Sequence, residues 1–333
     1  MSNDKAKFRR MSRERRARRR HRLGYCVRCF SPQGRYPAGT QFVHEGVFHA
    51  DEEVVFSLVR GSSWERLDCD VPYSEFNWAL PQELRLWAAL MFCEKIGEPR
   101  MCLYPVTTEL HWLEVRNLEM NNQTVQRVRR LLLEETEYTL DYPSARPMQA
   151  GQRILRRFDL FEDKMFALDR LASFWLALDN FDYLILRAAH AMIKSDMLTR
   201  HREFREEAVI VLYIALEASF SYIKDILILK GNSNPSAHDV ALWLHEEFDA
   251  DWGLDPSMPG VGYFSEFYED RIMTMHPSSR FGEMPYAPLM NDDYIHLRCA
   301  LRAIFAYLVS DAHGADRIEL LAKHGGMGKK GVR

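Results

Sequence analysis

Apolar positions fall into two regimes along the chain. From residue 23 to about 75 they come in short β-prone runs: Phe42-Val43, Val47-Phe48, Val54-Val55-Phe56 and Leu58-Val59. Pro32, Gly34, Pro37, Gly39, Gly46 and Gly61 punctuate them. Short β-branched and aromatic runs between turn residues predict strands. Residues 81–96 then read as a helix, with Pro81 in its first turn and Leu84, Trp87, Ala88, Met91 and Phe92 at helical spacing; Gly97 and Pro99 end it. A second helix is predicted over 122–137, with Val125, Val128, Leu131 and Leu132 on one side. Together these elements predict a small α+β domain over 23–145.

Beyond residue 153 the period is helical. Leu168, Leu171, Trp175, Leu178, Ile185 and Met192 trace one long amphipathic helix, roughly 160–195. The next, 203–230, is apolar almost all round and is expected to be surrounded by other helices. Glu217 lies inside it and is expected to be partly buried and hydrogen-bonded, because an uncompensated buried carboxylate is costly. Gly231, Asn232, Asn234 and Pro235 break this helix, and Ser236 is placed to cap a shorter one over 237–249. Helices over 263–276 and 291–311 complete an antiparallel bundle. The segment 142–152, YPSARPMQAGQ, is the best linker and sets the predicted boundary. The expected fold is mainly α: a basic disordered arm (1–22), an N-terminal α+β domain (23–145), a helical bundle (153–312) and a flexible tail (313–333).

Charge adds a feature the periodicity does not show. The 333 residues carry 44 Lys+Arg and 47 Asp+Glu, a formal net of −3. Residues 1–22 hold eleven of the cations and two of the acids, so the remainder carries 33 basic and 45 acidic side chains, a net of −12. The arm has almost no apolar content, so it cannot build a core. Clustered arginines gain affinity for polyanions by displacing counterions from phosphate, which marks Arg16, Arg18, Arg19 and Arg20 as candidate RNA contacts. The charged N-terminus is followed by no apolar stretch of the kind a secretory leader has. The most apolar stretch, Val209–Leu229, is interrupted by Glu217, Lys224 and Asp225 and falls short of the ~18–20 apolar residues a membrane span needs. With six cysteines expected to be reduced, the chain reads as cytoplasmic.

Candidate chemistry is sparse. Neither GxGxxG nor GxxxxGK[ST] occurs, and GxSxG and HExxH are also missing. No cofactor is expected. Cys26 and Cys29 form a CxxC pair followed by His44 and His49, close to a two-Cys, two-His zinc spacing; the glycines and β-prone residues around the histidines favour strands over the helix of a zinc finger. Reduced structural cysteines are the main reading, with zinc as the alternative. The strongest candidate is Tyr268-Glu-Asp-Arg271-Ile-Met-Thr-Met-His276-Pro277. A residue before proline is pushed out of the helical region, so the helix should end near His276. An arginine and a histidine would then sit at one helix end, beside a loop carrying Arg280. Histidine can take or give a proton near neutral pH, and a guanidinium can hold a phosphate and stabilise its developing charge. The alternative is that Arg271 pairs with Asp270 or Glu266 and His276 merely ends the helix.

The order of elements over roughly 155–312 resembles the HEPN family of helical domains. A long helix is followed by an apolar helix carrying Ala215-Leu216-Glu217, a short helix, the Arg271 to His276 segment and a closing amphipathic helix. That family's signature is R-x4–6-H, which Arg271 and His276 match at the short end of the gap. The resemblance implies metal-independent RNA cleavage at a composite site formed by a homodimer. In it, the histidine and arginine assist attack of the ribose 2′-hydroxyl on the adjacent phosphate, giving a 2′,3′-cyclic phosphate and a 5′-hydroxyl. It implies a place in phage defence, toxin–antitoxin pairs or RNA processing. Active members carry a polar residue directly after the arginine, where this chain has Ile272; inactive members act as binding or scaffolding domains. RNA is the expected partner of the bundle, and residues 23–145 are expected to sense or recruit a protein partner.

Overall fold

The computed structural model describes residues 23–62, 78–95, 101–106, 111–113, 115, 117–139, 158–161, 166–178, 183–248, 250, 263–275 and 291–310. The chain divides into two units. One comprises Met1–Trp87 with Leu103–Asp163; the other comprises Ala88–Cys102 with Lys164–Arg333.

The β-prone runs of the first unit form β1 (Leu23–Cys29), β2 (Arg35–Pro37), β3 (Gly39–Val43), β4 (Gly46–Ala50) and β5 (Val55–Ser62), with β6 (His111–Leu113) and β7 (Asp159–Phe161) later in the chain. Five strands make an antiparallel sheet in the order β3-β4-β5-β1-β6, and β2 pairs with β7 in parallel. Period-2 alternation sends successive side chains to opposite faces. One face presents Tyr25, Val27, Val47, Phe56 and Leu58 to Val125, Val128 and Leu132 of helix α2 (Asn122–Thr139). Asn121 caps α2 by accepting the Thr124 N–H at 3.0 Å. β1 and β6 approach so closely that a Cβ on Gly24 would lie 2.6 Å from the Leu113 carbonyl oxygen and 2.8 Å from the Trp112 ring, so only glycine fits there.

Towards the other face, helix α1 (Pro81–Phe92) supplies Trp87. Its ring meets Phe30 edge-on at 5.7 Å and donates to the Ser57 hydroxyl at 3.1 Å. Arg28, on β1, is fully buried here. Its Nε and Nη2 donate to the two carboxylate oxygens of Glu83 at 2.9 and 3.2 Å, and it also donates to the carbonyls of Val106 and Trp78. Glu83 accepts the Leu80 N–H at 2.7 Å as well, so one carboxylate both neutralises the arginine and caps α1. Burial opposes the guanidinium charge, and Glu83 outweighs it, holding Arg28 above its ordinary range.

A polar chain ties the β3–β4 hairpin to α2. The Thr40 hydroxyl lies 2.7 Å from His49 Nδ1, and His49 Nε2 lies 3.0 Å from Asp51. Arg129 of α2 donates to the same Asp51 oxygen at 2.6 Å, while the other oxygen accepts the N–H groups of Glu53 and Val54. Burial alone would raise Asp51; Arg129, the two backbone N–H groups and His49 outweigh it and hold the carboxyl at about 2.

The second unit holds the bundle: α3 (Leu171–Ala177), α4 (Tyr183–Leu198), α5 (Arg205–Leu229), α6 (Ala237–Phe248), α7 (Tyr263–Met275) and α8 (Asn291–Ser310). As its composition predicts, α5 is the hub and packs against α4, α6, α7 and α8. Ser236 and Asp239 form a reciprocal cap at the start of α6: the Ser236 hydroxyl accepts the Asp239 N–H, and the Asp239 carboxylate accepts the Ser236 N–H at 2.7 Å. Phe92 packs between Phe174 and Phe305. At the α4–α8 contact, Arg298 Nε and Nη2 donate to the two oxygens of Asp196 at 2.9 and 2.8 Å, and the Tyr294 hydroxyl donates to one of them at 2.5 Å. Arg298 and Asp196 are almost wholly buried. A turn lower on α8, Arg302 donates to the Glu94 carbonyl, whose carboxylate accepts the Met101 N–H. Among the described residues no helix is long and apolar enough to cross a membrane.

The structure is mainly α, as expected, but three expectations change. The units do not divide at 142–152: the described residues 158–161 belong with the first unit, because β7 pairs with β2, and residues 88–102 belong with the helices. The long helix expected over 160–195 is a 3-10 turn (Leu168–Arg170) and then two helices. Leu178 turns to extended geometry at ψ 133° and closes α3, and Asp179-Asn180 follow it in sequence, residue types that favour turns and caps over helix interiors. The helix expected over 81–96 stops at Phe92, because Glu94 enters a β-bridge with Phe166. The arm, the 142–152 linker and the 313–333 tail lie outside the described residues.

Two outcomes follow. Ionised Asp51 is favoured by folding, so its contribution is present above about pH 4 and is lost as pH falls towards about 2. The stability gap between wild type and Asp51→Asn in urea unfolding should narrow across that window; a constant gap would exclude the linkage. Asp196→Ala leaves the Arg298 charge buried without its carboxylate and should lower stability by about 3–5 kcal/mol. The double variant Asp196→Leu/Arg298→Met should lose clearly less, and an equal loss would contradict that origin of the cost.

Candidate functional site

Helix α7 carries the arginine of the candidate motif. Phe267 anchors the helix by burying its ring, and α7 packs against α5 and α6. Tyr268 stacks on Phe220 of α5, with ring centroids 4.6 Å apart and planes 19° apart. One turn further along α7, Arg271 reaches back to α5. Its Nη2 lies 2.8 Å from Oε2 of Glu217, an ion pair whose approach is off the hydrogen-bonding direction. The same guanidinium sits over the Tyr268 ring, 5.3 Å from its centroid. Glu217 and Phe220 are three residues apart on α5, and Tyr268 and Arg271 three apart on α7, so an antiparallel crossing brings each pair into register.

The carboxylate and the aromatic face thus hold the guanidinium from two sides. The Arg271 side chain is 28% exposed, so the clamp fixes it in place while leaving it accessible to solvent. An arginine has five N–H donors in a planar fork, and a second anion can be held alongside the first. Ile272 and Met273, next in the chain, are exposed at 40% and 42%. The described part of α7 runs to Met275, and the stop expected at His276-Pro277 lies outside the described residues. His276, Arg280 and the arm residues Arg16, Arg18, Arg19 and Arg20 lie outside the described residues.

The expectation for Glu217 is modified. Its side chain is 43% exposed and it is ion-paired to Arg271 rather than hydrogen-bonded in an apolar core. The pair crosses between helices, to α5, rather than running along α7 to Glu266. The signal that could have found it lies in α5 itself: Glu217 is the only carboxylate between Glu207 and Asp225.

The zinc alternative is not supported by geometry. Cys26 and Cys29 are three residues apart on β1, which places them on opposite faces of the sheet. Cys26 is fully buried, and Cys29 packs against the core shared with α2. His44 lies in the β3–β4 turn, and both nitrogens of His49 are engaged by Thr40 and Asp51. Among the described residues no group of three or more His, Cys, Asp or Glu side chains converges as a metal site would require. Among the described residues, Cys26, Cys29, Cys93, Cys102 and Cys299 take part in no disulfide. Burial, with Asp196 close by, pushes the Cys102 thiol up to about 11, although Arg200 donates to its sulfur at 3.4 Å.

Compared with protein-family models, curated proteins and solved structures, the chain finds no match in any of the three.

Proposed function

We propose that the helical unit is a metal-independent endoribonuclease of the HEPN type, with Arg271 and His276 as its catalytic pair. The observation that carries this reading is the clamped guanidinium. Arg271 is held by Glu217 and Tyr268 on α7, and a histidine followed by proline stands five residues further along the sequence. The order of α4 to α8, with Ala215-Leu216-Glu217 on the hub helix, is the order the resemblance calls for.

In this mechanism the histidine takes the proton from a ribose 2′-hydroxyl, or gives one to the departing 5′-oxygen. The 2′-oxygen attacks the adjacent phosphorus, the bond to the 5′-oxygen breaks, and a 2′,3′-cyclic phosphate and a 5′-hydroxyl result. Arg271 meets the negative charge that builds on the non-bridging oxygens, a role for which a pre-positioned cation costs no reorganisation at the moment of reaction. Glu217 is a positioning residue. Two copies of the bundle form the composite site, and the basic arm with Arg280 draws RNA towards an otherwise acidic body.

A second reading is favoured by two specific observations. Arg271 is already satisfied by Glu217 and Tyr268, which explains it as a packing tie, and the position after it is the exposed apolar Ile272. On that reading the bundle binds RNA, a nucleotide or a protein partner without cutting.

The readings separate in one assay. Full-length protein incubated with single-stranded RNA should leave cyclic-phosphate ends, unaffected by EDTA. Arg271→Ala and His276→Ala should each lower the rate by about 10²-fold or more, while the melting transition stays close to wild type, since a half-exposed ion pair contributes about 1 kcal/mol or less. Undiminished cleavage by the double variant would sink the ribonuclease reading. RNA affinity without cleavage would establish the binding one.

A further inference from the structure

The hairpin joining β3 to β4 turns on His44 and Glu45. Glu45 stands at φ 63°, a left-handed conformation that residues with a side chain adopt rarely. A glycine would relieve it, yet the glycine comes one position later, at Gly46. The strained position carries a carboxylate instead. Its Oε1 accepts from the Arg60 guanidinium of β5, and the Arg60 backbone N–H donates to the Glu45 carbonyl at 2.9 Å.

The same hairpin lines a cleft of about 340 Å³ within the first unit. Val43, Leu118, Met120 and Tyr25 supply its apolar lining. The Tyr25 hydroxyl is spent on the Leu118 backbone, accepting its N–H at 3.0 Å and donating to its carbonyl at 3.4 Å. Glu45, Arg60 and Glu119 carry the charge of the lining, with His44 and Asn117 beside them. Two carboxylates against one guanidinium leave a net of −1 with the histidine neutral. Glu119 uses one oxygen on the Asn121 amide, at 3.2 Å, as Glu45 uses one on Arg60. An apolar trough with surplus carboxylate fits a long cationic side chain, whose methylene stem lies along apolar surface while its charged head stays wet.

The chain brings such side chains to this place. Residues 1–22 carry eleven Lys and Arg and two acids. They join β1 at Leu23, two residues before Tyr25, a rise of about 7 Å along a strand. In the register of β1 with β5, Leu23 faces Ser62 and Tyr25 faces Arg60. The arm is thus attached beside the cleft. A short flexible tether sets an effective concentration on the order of mM, so a site of low intrinsic affinity is still filled.

We propose that the cleft between the β3–β4 hairpin and residues 117–120 holds an arginine or lysine of the chain's own basic arm, residues 1–22. Glu45 and Glu119 take the charged head, and Val43, Leu118 and Met120 take the stem. An arm seated there is withheld from other anions, and a polyanion must draw it out of the cleft to engage it. This docking involves neither Arg271 nor His276 and is independent of the ribonuclease reading.

The test times trypsin cutting at each Lys and Arg of residues 1–22 by mass spectrometry, on full-length protein. At about 50 mM salt the most protected site should be cut about 3-fold faster in Glu45→Gln/Glu119→Gln than in wild type, the worth of two partly exposed ion pairs. Asn117→Glu adds a carboxylate at an exposed rim position and should be cut more slowly than wild type. All three should converge at about 1 M salt, where the Debye length is about 3 Å. Losing the Glu45–Arg60 pair could loosen the hairpin and speed cutting without any docking, but loosening cannot slow it in Asn117→Glu. Asn117→Glu cut no more slowly than wild type therefore overturns the docking, as do equal rates for all three proteins at low salt. Protection that grows with protein concentration overturns the chain's own arm as the occupant and assigns the cleft to the arm of a second copy.

Discussion

Each unit is organised around one buried arginine gripped through both oxygens of one carboxylate. A guanidinium removed from water is tolerable only when a charge partner and further acceptors replace its hydration. That requirement dictates position. Arg28 can exist inside the first unit only where Glu83 and the carbonyls of Trp78 and Val106 converge, which fixes α1 against β1. Arg298 can exist in the bundle only where Asp196 faces it, which fixes α8 against α4. Apolar surfaces are interchangeable within limits of volume, whereas a planar fork meeting a planar carboxylate has few acceptable orientations. These two pairs therefore select one arrangement of helices from the many that hydrophobic burial alone would permit.

The same chemistry at lower burial gives a different outcome on α7. Glu217 and Arg271 also join two helices, but both stay partly in solvent, where the pair contributes little to stability. What it supplies is orientation: a cation held at a helix end by a carboxylate on one side and an aromatic ring on the other. The contrast between Arg298, committed to structure, and Arg271, fixed yet accessible, separates the arginine that builds the bundle from the one that can meet a ligand.

Where one period governs a long stretch, the structure was legible. The hub helix α5 and the capped start of α6 lie within a residue or two of their expected limits. The β-prone runs between turn residues became strands for the same reason. Legibility failed where tertiary pairing decided the matter. Residues 159–161 are three residues long and show no period, and only their pairing with Arg35–Pro37 makes them a strand. Trp87 and Ala88 are equally apolar, so nothing in the spacing shows that the two units divide between them. Leu131 fits the apolar side of α2 but is 40% exposed, while Arg28 and Glu83 look like surface charges and are wholly buried. At the candidate site, Arg271 was recognisable by its distance from His276, but its partner Glu217, on another helix, was visible only as an isolated acid in an apolar run.

The chain separations of the two buried pairs bear on how the protein leaves the ribosome. Arg28 and Glu83 are 55 residues apart, so the tie between β1 and α1 can close early in synthesis. Asp196 must wait 102 residues for Arg298. During that interval α4 and α5 have emerged, while the carboxylate that will meet α8 is hydrated and the apolar hub helix lacks one of its walls. Domains fold as units during synthesis, and transiently exposed apolar surface invites aggregation. The bundle is thus most in need of chaperone protection between the emergence of α5 and that of α8.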